Sequence, residues 1–277
     1  MPFIEIEGKP LHYQTCGTGF PVLLGHSYLW DSSMWAPQID ALSRHYQVIV
    51  PDLWGHGQSG RLPENTHTLG DLATHAGRLL DALGIGQCAI VGLSVGGMWG
   101  SELALREPDR VKCLVLMDTD RCAEPDATLK QYSQMFNVIE SVGSIPAPMI
   151  DVIVPLFFRR GATLDGEVHA RFRKALAGFS ADQLRQSVVP LGRIIFGRSD
   201  ALASLAGLDA ASTLIMCGEL DIPRPPTEMA RMAAVIGCRQ MLIPDAGHIS
   251  NLENQSFVTD ALLAWLGQHV AQAEYYV

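Results

Sequence analysis

Residues 89 to 100, AIVGLSVGGMWG, admit few folds. A strand-like apolar run reaches Gly92, and a helical pattern starts almost at once at Val95. So abrupt a strand-to-helix turn forces its central residue, Ser94, into a strained backbone conformation. The flanking positions must be small for strand and helix to approach, which Gly92 and Gly96 satisfy, while Gly97 and Gly100 let the helix lie close to a sheet. The turn lifts the Ser94 hydroxyl clear at the sheet's carboxyl edge, above a helix N-terminus.

The rest of the chain supplies that sheet. FIEIEG alternates, KPLHYQTC follows a turn at Glu7-Gly8-Lys9, and PVLLG is a short buried run. A helical segment beginning near Ser33 carries Trp35, Ile39 and Leu42 on one face. YQVIVPD, QCAIVG, KCLVLMD, STLIMCGELD and RQMLIPDAGH read as further strands. Helical patterns cover 68–83, 95–106, about 226–236 and about 255–270. Continuous apolar strands alternating with helices predict an α/β fold, a mostly parallel sheet with helices on both faces. Between 121 and 208 helical patterns dominate, punctuated by GSIPAPM and RRGATLDG. The expected organisation is a core of residues 1–120 and 209–277, with 121–208 inserted as a helical lid (cap) over the sheet's carboxyl edge, where open α/β sheets bind ligands.

A serine hydroxyl is a poor nucleophile at neutral pH and needs a base, itself oriented by an acid. The turn predicts both downstream, at the ends of later strands. Asp221 follows LIMCGEL and His248 follows MLIPDAG, so the expected catalytic set is Ser94, Asp221 and His248. Asp118, Asp120 and Glu219 are the rival acids, with Asp118 assigned to capping its loop. Acyl transfer also needs donors for an oxyanion. The backbone N–H groups of Val95, next after the serine, and of Tyr28, in the loop after PVLLG, are the candidates. His26 in that loop suits pinning the backbone and is also a candidate pocket residue, with Trp30, Met135, Phe136 and Phe157. Trp35 and Trp99 suit packing at least as well as a pocket. The arginines at 159, 160, 171, 173, 185 and 193 read as a solvated lid face rather than a carboxylate site.

Composition narrows the partners. A net charge of −9 and the lack of any lysine or arginine run argue against nucleic acid and anionic membrane surfaces. No window reaches 18 uninterrupted apolar residues, and MPFIEIEGKP carries acids and no h-region. Six scattered cysteines without a CxxC pair predict free thiols, no metal site and a reduced, cytoplasmic protein. Oligomerisation is left open.

Four segments, LLGHSYLWDSSMW, VIVPDLWGHGQS, VGLSVGG and GELD…PDAGH, stand in the order found in α/β-hydrolases. The chain resembles their serine-nucleophile branch, and within it the bacterial aryl esterases and cofactor-free haloperoxidases. His26, Asp31, Met34 and Trp35 fall on the H-G-W-x-x-D-x-x-M-W pattern of those proteins, with Ser27 where the pattern has glycine and Tyr28 as the next aromatic. DLWGHGQS resembles the D-x-x-G-x-G-x-S turn of the superfamily, which makes His56 structural. The resemblance implies the α/β-hydrolase fold and attack by Ser94 on a carbonyl. His248 would take the serine proton, Asp221 would hold the imidazole, and Tyr28 and Val95 would bind the oxyanion. It implies a small, largely apolar ester or lactone as substrate and no cofactor. A C–C bond hydrolase, perhydrolase or acyltransferase with the same residues stays open, as does a ligand-sensing regulator with slow turnover.

Overall fold

The computed structural model describes residues 2–163 and 165–270. Eight strands, β1 (Phe3–Ile6), β2 (Lys9–Cys16), β3 (Pro21–Gly25), β4 (Gln47–Pro51), β5 (Cys88–Leu93), β6 (Val111–Met117), β7 (Thr213–Gly218) and β8 (Arg239–Ile243), form one sheet in the order β1-β2-β4-β3-β5-β6-β7-β8. The β1–β2 and β2–β4 pairs are antiparallel and every other pair is parallel. Every residue of β5 and β7 is buried, because strands covered on both faces need apolar side chains in both directions.

Outside the β6–β7 connection, the helices are α1 (Ala36–Leu42), α2 (Leu69–Ala82) and α3 (Val95–Arg106) before it. Within the connection lie α4 (Asp126–Val142), α5 (Ala147–Phe157), α6 (Glu167–Gly178), a short α7 (Ala181–Gln183), a π-helical turn (Leu184–Val188) and α8 (Val189–Phe196). After it come α9 (Pro226–Ile236), α10 (Ser250–Glu253) and α11 (Gln255–His269). The pair α2 and α3 packs together beside β5 and β6, while α1 packs on α11, which lies on β6. These pairs cover opposite faces, as the alternation of patterns predicts. Residues 271–277 of the expected core segment lie outside the described residues. Among the described residues no helix is long and apolar enough to cross a membrane, and all six cysteines are free.

Register explains where the chemistry collects. Gly25 of β3 pairs with Gly92 of β5, Leu93 with Met117 of β6, and Gly218 of β7 with Ile243 of β8. Neighbouring parallel strands thus end together, and the loops after them share one edge. Among the described residues, four of the five non-glycine residues at positive φ, Leu29 (68°), Ser94 (57°), Asp118 (46°) and Asp245 (53°), follow β3, β5, β6 and β8 at that edge. Backbone strain of this kind persists only where the surroundings over-determine it, and it marks sites.

Candidate active site

Ser94 stands between β5 and α3 with φ 57° and ψ −120°. Its backbone is held on both sides: its N–H donates to Met117 O at 2.8 Å, and its carbonyl accepts from Thr119 Oγ1 at 2.7 Å and from the N–H groups of Gly97 and Met98 at 2.9 and 3.1 Å. The glycines permit the turn by close approach. A Cβ on Gly96 would lie 2.5 Å from the Gly25 carbonyl carbon and closer still to its oxygen, so α3 rests directly on β3. One on Gly92 would lie 2.5 Å from Gly97 N.

His248 follows β8, with its Nε2 3.1 Å from Ser94 Oγ and its Nδ1 3.0 Å from Asp221 Oδ2. The pattern fits Nδ1–H donating to the carboxylate and Nε2 accepting from the serine hydroxyl. Asp221 Oδ1 accepts the Arg224 N–H at 3.0 Å, which fixes the second oxygen. All three side chains are buried. The His248 loop is tied to the end of α5: Gly247 N–H and Arg159 N–H both donate to Glu253 Oε2, at 2.7 and 2.8 Å, and Ile249 N–H donates to Phe157 O at 3.0 Å.

A cavity of about 90 Å³ opens beside Ser94 and His248. Met135, Phe136 and Phe157 line it, together with Tyr28 and Ser27. Phe157 meets the His248 ring edge-on at 5.5 Å between centroids. Sequence reasoning missed Leu184 and Val188, which line the cavity from the π-helical turn, a local geometry common at functional sites. The Tyr28 hydroxyl donates to Val188 O at 2.7 Å and secures that turn. Val95 is buried at the first position of α3, and neither its N–H nor that of Tyr28 donates to an acceptor among the described residues.

Two expected pocket residues do other work. The ring of Trp30 stacks on Phe172 of α6 at 4.3 Å and 12°, so it packs against α6 and does not line the cavity. His26 also lies outside the cavity; its Nδ1–H donates to Ser27 O at 2.8 Å and its Nε2 accepts Leu53 N–H at 2.8 Å. These bonds fit a side chain that pins its loop, and His26 does not line the cavity beside Ser94. Trp35 and Trp99 are likewise buried packing. Asp118 does not cap its loop either. It is buried, accepts Gly218 N–H at 2.7 Å and the Ser250 hydroxyl at 2.5 Å, and so joins β7 to α10. Burial and the neighbouring Asp221 carboxylate push its pKa well above the usual carboxylate range. Asp118, Asp221 and Cys217 bring their donor atoms within 4.8 Å of one another. Burial and the two acids push the Cys217 thiol up, away from the thiolate that metals bind, and both carboxylates are already hydrogen-bonded.

Arg224 was also missed. It borders the cavity but is buried and neutralised: Glu124 Oε1 accepts from it and from Arg198 Nη1 (2.8 Å), and Glu228 lies 3.3 Å away. The cluster ties both ends of the β6–β7 connection to the loop carrying Asp221. No local signal announces it, since Glu124 meets partners 74 and 100 residues away. The arginines of the β6–β7 connection do not serve the cavity: Arg193 pairs with Glu140 at 2.9 Å, Arg173 with Asp151, and none of the six lines it.

The loop carrying Tyr28 depends on two neutral histidines. His56 Nδ1–H donates to Trp54 O at 2.9 Å, and its Nε2 accepts the N–H of strained Leu29 at 3.1 Å. Burial and the neighbouring His26 push the His56 pKa down to about 4, and burial lowers that of His26. Between pH 6.5 and 4 the unfolded chain binds a proton at His56 that the folded one does not, so stability rises with pH there. Acidification through that window is expected to cost on the order of 3 kcal/mol from His56. A falling Tm from pH 7 to pH 4.5 checks this, with His56→Gln showing a flatter decline; an equal decline in the variant would contradict it.

A protein-family model described as the alpha/beta hydrolase fold matches residues 21–137. RutD of Azorhizobium caulinodans is 36% identical over 118 residues, a match spanning 43% of this chain and 44% of that protein. The 3-oxoadipate enol-lactonase 1 of Acinetobacter baylyi is 27% identical, with 89% of each chain covered. Among solved structures, a thermophilic esterase from Thermogutta terrifontis superposes with a TM-score of 0.83 at 28% identity over 95% of each chain. The enol-lactonase from Burkholderia xenovorans LB400 superposes with a TM-score of 0.83 at 26% identity, covering 96% of this chain and all of that one. Sheet order, the strained serine turn and these matches together show that the chain has the α/β-hydrolase fold.

Proposed function

We propose that the protein hydrolyses a small, largely apolar carboxylic ester or lactone through an acyl-enzyme on Ser94. The observation that carries this reading is the hydrogen-bonded chain from Ser94 through His248 to Asp221, beside an apolar cavity. Ser94 Oγ attacks the carbonyl carbon as His248 Nε2 takes its proton, and the Asp221 carboxylate stabilises the imidazolium that forms. The carbonyl π pair moves onto oxygen, where the free N–H groups of Val95 and Tyr28 receive it. Collapse expels the alcohol, protonated by His248, and water attacking by the same route releases the acid. In a lactone the expelled alcohol stays attached to the acyl chain. The matches to an esterase and to enol-lactonases support a hydrolase of this class.

The cap (residues 121–208 in the expected division) acts as the lid of the site and supplies the apolar wall. Arg224 does not favour a carboxylate-bearing C–C hydrolase substrate, since Glu124 and Glu228 already neutralise it. The narrow cavity favours short acyl groups. A p-nitrophenyl ester series from acetate to decanoate is expected to peak at or below butyrate and to fall at least tenfold in kcat/KM by decanoate. Turnover of none of the esters, or a peak at decanoate, would overturn the proposed substrate class.

A further inference from the structure

Ser27 occupies the position where the aryl-esterase loop pattern carries glycine, and its side chain is the unexplained polar group of the site. Every backbone group of Ser27 is engaged: its N–H donates to Met34 Sδ at 3.4 Å, and its carbonyl accepts from Trp30 N–H at 3.2 Å and from His26 Nδ1–H at 2.8 Å. The residue is fully buried, it borders the same cavity as Ser94 and His248, and its hydroxyl has no hydrogen-bond partner among the described residues. A buried hydroxyl without an acceptor costs stability, so it calls for a partner that the resting protein does not supply. Next to it in the chain is the unengaged N–H of Tyr28, and across the turn is that of Val95. Ser27 and Tyr28 line the cavity with Ser94, and Val95 follows Ser94 in the chain, so three donors without acceptors among the described residues belong to this one site.

We propose that the Ser27 hydroxyl is a third oxyanion donor, a catalytic residue of the reaction proposed above, on which this inference rests. As Ser94 Oγ bonds to the carbonyl carbon, the π pair moves to the carbonyl oxygen and the Ser94 proton passes to His248. The Ser27 O–H, held by no other acceptor, turns about χ1 and donates a hydrogen bond to the new charge, keeping its own proton. The bond forms where the oxyanion sits and not where the planar carbonyl oxygen sits, so it lowers the barrier with little effect on substrate binding.

The test compares wild type, Ser27→Ala, Ser27→Gly and Ser94→Ala on p-nitrophenyl butyrate, with butylboronic acid as a tetrahedral mimic. Both Ser27 variants are expected to lose about 10²-fold in kcat with KM within about twofold. Boronic acid inhibition should weaken by about the same factor as kcat. Their Tm should match or exceed the wild-type value, because each change removes an unpaired buried hydroxyl. Glycine is the residue of the family pattern, so that variant keeps the loop backbone feasible if alanine disturbs it. Active wild type with unchanged kcat and boronate affinity in both Ser27 variants would overturn the Ser27 role alone. Inert wild type, with no boronate binding, would overturn this role together with the reading of Ser94.

Discussion

Ser94→Ala is expected to lower kcat for a short p-nitrophenyl ester by about 10⁴-fold or more, with Tm close to wild type. Two features separate the loss of activity from any loss of fold. Among the described residues the side chain's bonding runs to His248 Nε2 alone, at 3.1 Å, whereas the backbone is held independently by Met117 and Thr119. Alanine also bears the same kind of Cβ at φ 57° that serine already bears, so the strain of the turn is unchanged. Steady-state kinetics beside a melting curve check the prediction. Wild-type turnover in the variant would place the chemistry elsewhere.

The largest expected effect on stability lies two residues on. Gly96→Ala would set a methyl group 2.5 Å from the Gly25 carbonyl carbon and nearer to its oxygen, both backbone atoms that no rotamer change can move. Either α3 lifts from β3 or β3 shifts within the sheet, and the turn holding Ser94 opens with it. Overpacking against backbone is expected to cost about 3 kcal/mol or more, a fall in Tm of roughly 6 to 12 °C. Gly86→Ala is the control, since a Cβ there meets nothing within 4 Å. Equal melting temperatures for the two variants would show that the close helix–strand approach does not hold the turn together.

What the chain declares in its own order, and what it conceals, follow from the range of the interactions. The turn at Ser94 is local: glycines, strand and helix lie within a dozen residues, and periodicity alone places them. Asp221 and His248 are legible because parallel strands ending together bring their trailing loops to one edge. Trp30 misled because an aromatic beside a predicted loop is compatible with pocket or packing, and its partner Phe172 comes from a cap helix with no fixed register in the sequence. The π-helical turn at Leu184–Val188 has no composition that distinguishes it from ordinary helix. Glu124, Arg198 and Arg224 are each unremarkable in sequence and acquire meaning only as a buried cluster at the cap's base. Ser27 was visible as a departure from a pattern, yet only the folded structure shows that its buried hydroxyl has no partner among the described residues.

The central claim is that Ser94 is the nucleophile, activated by His248. Intact-mass analysis after reaction with a fluorophosphonate, followed by peptide mapping, tests it most directly. One phosphonyl group per chain on the peptide carrying Ser94, with no adduct in Ser94→Ala and much slower labelling in His248→Ala, is the predicted result. An enzyme that turns over esters while Ser94 stays unlabelled, or that labels as fast without His248, would contradict it.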